Sequence, residues 1–477
     1  MRSADPTDYT DCYSYKTAGA GKNARRELYC EGVAVAQIAR AVGTPAYVYS
    51  RASLELAYRR LDSALRNSMG AAGHAACYAM KANSNLSVLQ VLAQIGSSFD
   101  IVSGGELDRL RRIGVPGQRI VYSGVGKTRD EIREALDYRA ESGVPASRQR
   151  RTTASRPGAT APGIYLLNVE SEEELEVLAE EAARRVERGG HRVAAAIRVN
   201  PDVLAGGHRH ISTGHHRHKF GVSWERARRM YRAHQNSRWI RWRGISAHIG
   251  SQIVTLAPYR RALRDLAQRV RTLAREGIAI ECVDCGGGLG IRYDDERPVD
   301  PRAFARMVAA VVRPLGCRAL IEPGRTIAGP AGVLLTRVTY TKENGGKRFL
   351  IADAGMNDLM RPVLYDAHHP ITKTVQTGGA RTQIVDVVGP VCETGDYLGR
   401  GVRMEEARAG DLLAIWAAGA YGFSESSNYN GRPRAAEVLV DGARWRVIRE
   451  RETRHEMVRG ELSAAAEFPV RKRPGKK

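Results

Sequence analysis

The motif YAMKAN places Lys81 at the end of a predicted apolar strand, between small residues. Partial desolvation lowers the pKa of a lysine and favours the free amine, which can form a Schiff base with a carbonyl compound. A surface lysine whose amine reaches water is the alternative that Lys81 alone leaves open. We therefore predict an amine of lowered pKa at position 81. The other motifs expected at the same strand ends favour this interpretation over a surface lysine.

The motif EPGR provides a carboxylate, Glu322, and a guanidinium, Arg325, at the end of another predicted strand. A carboxylate opposite a pyridine nitrogen keeps that nitrogen protonated, and a protonated ring can take up the electrons of a carbanion. Arg325 can bind a phosphate or a carboxylate through its planar fork of N–H groups. The pair therefore predicts a site that binds an anionic small molecule and stabilises a carbanion through a protonated pyridine ring.

Two further motifs add an aromatic ring and candidate phosphate ligands. HIGSQ contains His248, whose ring could stack on a cofactor, and Ser251, and three consecutive glycines occupy positions 286–288. The backbone N–H groups of glycines can surround an anion. A structural histidine and a plain flexible turn are the alternatives. Because all four motifs follow successive strands, we predict that they form one site.

The strands that position these motifs alternate with longer amphipathic stretches, the pattern of βα units around a parallel sheet. Eight strands are predicted, at residues 75–82, 97–103, 119–124, 164–170, 193–200, 242–250, 281–288 and 319–324. Ser171 and the acidic residues after it predict the start of a helix. Eight strands close a (β/α)8 TIM-type barrel, whose active site lies at the carboxyl ends of the strands.

After Arg325 the sequence changes to short strands separated by turn residues, which predicts a C-terminal β-sandwich or β-barrel-like domain. The predicted strands are LLTRVTYT, KRFLIAD, TQIVDVVG, DLLAIWAA, AAEVLV and RWRVIRE, and we expect the strand-like PAYVYS before Arg51 to join them. We predict a barrel domain at 51–325 and a β-domain formed by 1–50 and 326–470. The Arg-rich segment 144–163 is predicted to be a disordered insertion, and 471–477 a disordered basic tail.

Composition restricts the class of protein. The 477 residues carry a formal net charge of +22, but only 11 of the 74 basic residues are lysines and the arginines are scattered, which is typical of a genome-wide bias and not of nucleic-acid binding. Seven irregularly spaced cysteines indicate a reducing compartment. No apolar run suits a signal peptide or a membrane span, so we expect a cytoplasmic protein without membrane or nucleic-acid partners.

The motifs together resemble the diaminopimelate decarboxylase family, within the barrel-fold decarboxylases that use pyridoxal 5′-phosphate. The motifs that carry the resemblance run in order from GTPAYVYS (43–50) to about residue 450: YAMKAN, SFDIVSGGEL, HIGSQ, DCGGGLGIRY, EPGR, ADAGMNDLMRPVLYDAHHP, GPVCETGD and GDLLAIWAAGAYGFSESSNYNGRPR. The resemblance implies decarboxylation of meso-2,6-diaminopimelate to L-lysine and CO2, the last step of lysine synthesis.

The resemblance also implies a role for each site residue. Lys81 binds the cofactor covalently, His248 stacks on its ring and Glu322 pairs with its nitrogen. The implied phosphate ligands are Ser251, Gly286, Gly287, Gly288, the backbone of Pro323, Gly324 and Arg325, and Tyr421. The implied substrate ligands are Arg325, Arg361, Tyr365, Tyr421 and Glu393. Cys392, as proton donor, and Glu393 enter the site from a neighbouring subunit, so a homodimer with shared active sites is implied.

Three departures from the family pattern accompany this interpretation, of which the insertion at 144–163 is the first, and several alternatives stay open. Five histidines, at 208, 210, 215, 216 and 218, lack partners at metal-ligand spacing, so we predict no metal. Cys282 and Cys285 form a CxxC that we interpret as core packing. A sister decarboxylase of ornithine, arginine or a carboxylated polyamine, a cofactor carrier without catalysis, and a basic nucleic-acid-binding protein are the alternatives. Arg361 and Tyr365 favour a substrate with a second carboxylate.

Overall fold

A computed structural model describes residues 6–10, 12–18, 25–141, 163–203, 219–377 and 381–462. The predicted insertion, apart from Gly163, the five histidines of 208–218 and the basic tail lie outside these residues. The predictions about them therefore stay predictions.

The described residues form 21 strands and 12 α-helices in the following order. The strands are β1 (Tyr13–Ala18), β2 (Arg25–Cys30), β3 (Val33–Ala34), β4 (Ala46–Ser50), β5 (His74–Ala79), β6 (Ser98–Ile101), β7 (Ile120–Tyr122), β8 (Leu166–Val169), β9 (Val193–Arg198), β10 (Ile240–Ser246), β11 (Cys282–Gly287), β12 (Arg318–Glu322), β13 (Gly332–Asn344), β14 (Lys347–Ala352), β15 (Ile371–Lys373), β16 (Val375–Gln376), β17 (Thr382–Val388), β18 (Tyr397–Glu405), β19 (Leu412–Ile415), β20 (Ala436–Asp441) and β21 (Arg444–Arg449). The helices are α1 (Val35–Val42), α2 (Arg51–Met69), α3 (Leu86–Gln94), α4 (Gly104–Arg112), α5 (Arg129–Leu136), α6 (Glu172–Glu187), α7 (Trp224–Ala233), α8 (Leu256–Arg275), α9 (Pro301–Val312), α10 (Arg325–Ala328), α11 (Arg361–Tyr365) and α12 (Arg454–Val458).

Strands β5 to β12 form a closed parallel barrel in sequence order, with β12 paired to β5. All eight predicted barrel strands are confirmed, and α2 to α9 alternate with them. A small apolar cluster, which includes Cys77 and Cys282, is separate from the larger core under the helices. Its side chains come from β5, β7, β8, β9, β11 and β12. We place it inside the barrel, because side chains of alternate strand positions point inwards.

The helices form as their sequences predict. Ser171 is the N-cap of α6, where its hydroxyl accepts a hydrogen bond from the Glu174 N–H at 3.1 Å. The buried residues of α8 recur every three or four positions, which turns one face of the helix towards the barrel. Within the part of the chain that the structure describes, no helix combines the length and the apolar character needed to cross a bilayer.

The predicted second region is also mostly sheet. Seven strands are ordered β18-β17-β14-β13-β4-β20-β21, with β19 on β13 and β15 on β19, and a smaller sheet contains β1, β2, β3 and β16. Strand β4, the predicted PAYVYS, pairs antiparallel with β13 and parallel with β20, so the N-terminal segment joins the C-terminal sheet. Strand β18 is absent from our predictions because its sequence, YLGRGVRME, contains two glycines and three charges.

Candidate active site

Lys81 lies in the turn that follows β5, at the carboxyl ends of the barrel strands. Its Nζ is 2.9 Å from Oδ2 of Asp100, the next-to-last residue of β6. The Asp100 side chain is closed to solvent, whereas 35% of the Lys81 side chain remains exposed. The Lys81 amine therefore lies at the open end of the barrel, where it is paired with the buried carboxylate of Asp100.

The predicted lowering of the Lys81 pKa is wrong. Burial alone would lower it, but the carboxylates of Asp100 and Glu322 outweigh burial and raise the pKa of Lys81 above its ordinary value. Burial and the charge of Glu322 raise the pKa of Asp100, while Lys81 opposes that rise. The amine is consequently protonated and ion-paired, a state that strand-end position alone does not reveal.

Glu322 ends β12 in a buried polar network. Ser123 donates to Oε1 of Glu322 at 3.3 Å, Asn168 donates to Ser123 at 3.1 Å, and Asn168 also donates to Oδ2 of Asp284 at 2.8 Å. Burial would raise the pKa of Glu322, but the nearby positive charge of Lys81 lowers it below its ordinary value. Burial and the charge of Glu322 raise the pKa of Asp284. Glu322 is therefore the ionised member of this pair of carboxyl groups.

His248 follows β10 and faces both Glu322 and the glycine segment. Its Nδ1 accepts a hydrogen bond from the N–H of Gly287 at 3.0 Å and lies 3.5 Å from Oε2 of Glu322. Burial lowers the pKa of His248, although Glu322 opposes the shift. An Nδ1 that accepts from Gly287 carries no proton, so we assign a neutral imidazole with its proton on Nε2. In that state the cation that keeps Glu322 ionised is Lys81.

The three glycines are held in place by close packing. A Cβ at Gly287 would lie 2.0 Å from the carbonyl oxygen of Glu322, and one at Gly288 would lie 2.0 Å from that of Gly250. The N–H of Gly286 donates to Oδ1 of Asp284 at 3.1 Å, and the N–H of Gly287 is used by His248. This packing excludes the alternative of a loosely held turn. Binding of a phosphate by the glycines stays a prediction, and the N–H groups of Gly286 and Gly287 already have hydrogen-bond partners within the protein.

Arg325 begins α10 and is buried beside Ser251. Its Nε and Nη2 donate to the Ser251 hydroxyl at 3.3 and 3.0 Å, and its Nη1 donates to the phenol oxygen of Tyr293 at 2.7 Å. Its guanidinium also lies 4.9 Å from the centre of the Tyr421 ring. Hydrogen bonds to Ser251 and Tyr293 thus fix the orientation of the Arg325 guanidinium.

Arg361 begins α11 in the sheet region and meets Arg325 at the same phenol. Its Nη1 donates to Tyr293 at 2.7 Å and to Nε2 of His369 at 3.0 Å, while its buried Nε has no partner among the described residues. Tyr365 lies one turn further along α11, and burial raises its pKa. The Nε edge of Arg361 is therefore available to a carboxylate.

The loop that carries Tyr421 is joined directly to the Lys81 segment. The N–H of Tyr421 donates to the carbonyl oxygen of Ala82 at 2.8 Å, and Asn83 donates to the carbonyl oxygen of Gly419 at 3.2 Å. On the other side, Ala79 donates to the carbonyl oxygen of Pro323 at 3.0 Å. The amine, the EPGR segment and the two arginines consequently surround one mouth.

Cys392 and Glu393 lie apart from this group. Both belong to the loop between β17 and β18, where the N–H of Cys392 donates to Asn430 at 2.9 Å and the Glu393 carboxylate accepts from the Tyr429 hydroxyl. Cys392 is exposed. Within the described residues of one chain, the hydrogen bonds of this loop go to Tyr429 and Asn430, in the segment between β19 and β20, and not to the Lys81 mouth.

Several residues that surround the site are missing from our sequence predictions. Asp100, Ser123, Asn168, Asp284, Tyr293 and His369 are all largely buried and polar. A charged residue inside an apolar strand, as in SFDIVS and ECVDCGGG, is the signal that could identify the two aspartates, since buried charges need partners. Burial raises the pKa of the thiols of Cys282 and Cys285, both free, in agreement with core packing.

Comparison with known proteins places this geometry in context. The family described as pyridoxal-dependent decarboxylase, pyridoxal binding domain, matches residues 52–329. The diaminopimelate decarboxylase of Pseudomonas aeruginosa is 44% identical over 451 residues, which cover 94% of this chain and 99% of that protein.

Solved structures agree with the sequence relatives. The diaminopimelate decarboxylase of Helicobacter pylori, complexed with L-lysine, is 34% identical with a TM-score of 0.80, over 90% of this chain and 100% of that one. The diaminopimelate decarboxylase from M. jannaschii, also in complex with L-lysine, is 32% identical with a TM-score of 0.82, over 95% and 98% of the two chains.

Proposed function

Because this chain belongs to the diaminopimelate decarboxylase family, we propose that the residues around Lys81 form its active site. The protein is a carboxy-lyase that uses pyridoxal 5′-phosphate and converts meso-2,6-diaminopimelate into L-lysine and CO2, the final step of lysine biosynthesis. The observation that carries the site assignment is the convergence of an amine, an ionised carboxylate and two buried arginines on one mouth.

The residues at this mouth fit the cofactor. Lys81 offers the amine, His248 a neutral flat ring, and Glu322 a carboxylate of lowered pKa. Two buried oxygens, Oδ1 of Asp100 and Oδ1 of Asn168, have no hydrogen-bond partner among the described residues. An unsatisfied buried oxygen costs free energy, which a further polar group at the mouth would recover.

When bound, pyridoxal phosphate supplies a protonated ring that takes up the electron pair left by the departing carboxylate. In our proposal Lys81 binds the cofactor, and Asp100 holds the Lys81 amine in place. Glu322 would pair with the ring nitrogen of the bound cofactor and keep a proton there, and the raised pKa of Asp284 favours the neutral form of that carboxyl group. Ser123 and Asn168 fix the orientation of Glu322.

The arginines determine which substrates fit. Diaminopimelate carries a second amino-acid group, and we propose that Arg361 binds its carboxylate through the unpartnered Nε edge, with Tyr365 and Arg325 beside it. Ornithine and arginine have no carboxylate at that end. Binding them would leave Arg361 buried without a counter-charge, which disfavours the sister decarboxylase activities.

We further propose that two chains share each site. Cys392, as proton donor, and Glu393, as the ligand of the distal amine, would reach the mouth of a partner chain. Large apolar side chains are exposed beside their loop: Tyr429 bonds to Glu393, and Val363 lies next to Gly395. Exposed apolar groups around an exposed loop are typical of an interface between subunits.

The remaining proposals concern location and domains. All seven cysteines are free, and the Cys392 thiol is exposed, which suits a reducing, cytoplasmic compartment. We propose a division into a barrel domain, 51–325, and a β-domain built from 1–50 and 326–470, because α2, which begins at Arg51, leads into the first barrel strand and the last barrel strand, β12, ends at Glu322.

The assignment is tested by assaying the purified holoenzyme for CO2 and L-lysine from meso-diaminopimelate, with ornithine and arginine as parallel substrates. We expect turnover of diaminopimelate and a kcat/KM at least about 100-fold lower for the other two. Comparable turnover of ornithine or arginine would refute the role given to Arg361. Tight binding of DNA at physiological salt, without turnover, would instead favour the nucleic-acid alternative.

A further inference from the structure

Tyr293 follows the glycine segment in the motif GIRY and is buried, with 5% of its surface exposed. Its phenol oxygen accepts one N–H from Arg325 and one from Arg361, each at 2.7 Å. Arg325 follows the last barrel strand, whereas Arg361 belongs to the sheet region. One oxygen therefore connects the two guanidinium groups that we assign to the substrate.

The Tyr293 ring is itself fixed from several sides. The guanidinium groups of Arg325 and Arg361 lie 5.9 and 5.1 Å from its centre, and the His369 ring meets it edge-on at 5.1 Å with an interplanar angle of 74°. Nδ1 of His369 is 2.8 Å from the carbonyl oxygen of Trp416. Since a carbonyl only accepts, Nδ1 carries the proton and Nε2 accepts from Arg361.

We infer that Tyr293 is a positioning residue that sets the selectivity for a substrate with a distal carboxylate. By engaging Nη1 of Arg361, together with His369, it leaves the Nε edge of that guanidinium for the ligand. This inference rests on the proposed role of Arg361 and extends it to a residue that need not touch the substrate.

A phenol suits this position better than a carboxylate would. Two guanidinium groups close together repel each other, and an anionic bridge would neutralise the charge that attracts the substrate. The phenol oxygen accepts a hydrogen bond from each arginine, and a hydroxyl group brings no formal charge of the kind that a carboxylate would bring. Both positive charges consequently remain available to the carboxylate of the ligand.

The product of the reaction provides a direct test, because L-lysine keeps the distal carboxylate, whereas cadaverine is the same chain without it. In the holoenzyme, Tyr293→Phe should raise KM for diaminopimelate and the inhibition constant of L-lysine by about 10-fold to about 100-fold. The inhibition constant of cadaverine and kcat should change by less than about 3-fold. Tyr138→Phe is the matched control: it removes a buried hydroxyl that donates to Val115 at 2.7 Å, away from the site.

The outcomes separate this inference from the proposed function. If Arg361→Ala raises KM but Tyr293→Phe leaves the L-lysine constant unchanged, Tyr293 has no positioning role, although the function stands. Equal weakening of L-lysine and cadaverine also overturns the inference, since it indicates a general loss of structure. If neither substitution affects L-lysine binding, the role of Arg361 itself fails. Should Tyr293→Phe melt below the assay temperature, the two ligands are titrated in the cold, where the same difference is expected.

Discussion

Replacing Arg361 with alanine tests the origin of substrate selectivity. In the structure Arg361 is 3% exposed, its Nη1 is held by Tyr293 and His369, and its Nε has no partner among the described residues. A carboxylate on the Nε edge would accept two charge-assisted hydrogen bonds, each of about 1.5 to 3 kcal/mol. Because Arg325 retains part of the attraction, we expect a net loss of about 2 to 5 kcal/mol.

That loss corresponds to a decrease in kcat/KM for diaminopimelate of about 30-fold to about 4,000-fold. The assay is CO2 release by holoenzyme at limiting substrate, and the visible absorbance of bound cofactor is recorded in parallel. The absorbance should not change, because the cofactor residues are left intact. Arg361→Lys, which keeps the charge and loses the planar fork, should recover only part of the activity.

A surface control separates this effect from a general disturbance. Arg228 bonds to Glu276 on the outer helices, and Arg228→Ala should leave kcat/KM unchanged. If Arg361→Ala has the kcat/KM of the wild type, the distal carboxylate is bound elsewhere, and the main reason for preferring diaminopimelate over ornithine disappears.

Three further predictions concern the cofactor, the dimer and stability. Lys81→Ala should remove both the cofactor absorbance and nearly all turnover while the fold persists; a coloured, active variant would contradict the assignment. Mixing Lys81→Ala with Cys392→Ala under subunit exchange should restore activity, since one site of each mixed dimer is then intact, whereas a flat mixing curve would indicate a site within one chain. Burial raises the pKa of Asp358 from 3.8 to about 7, so the folded state holds a proton that the unfolded chain releases. The wild type should therefore lose unfolding free energy relative to Asp358→Asn as pH rises from about 4 to about 7, and urea melts in which the difference between the two proteins stays constant would refute this.

The barrel could be predicted from the sequence because its signal is local. Each of its strands is a short apolar run, and fully buried β5, HAACYA, is an example in which all six residues are shielded. Strand β18 was not predicted because its glycines and charged residues interrupt the alternation of apolar and polar residues that marks a strand. It forms through antiparallel pairing with β17. Pairing of this kind is tertiary information.

The sequence by itself determined that Lys81, His248, Glu322 and Arg325 stand at the ends of strands, since in a parallel barrel that position alone brings residues to one mouth. Only the tertiary structure decided their charge states. Lys81 is protonated and not a free amine because Asp100, 19 residues away in the chain, lies 2.9 Å from it. Coulomb energies depend on distance and on burial, neither of which is written in the spacing of residues. For the same reason the link from Arg325 through Tyr293 to Arg361, which joins barrel to sheet, became visible only in the folded chain.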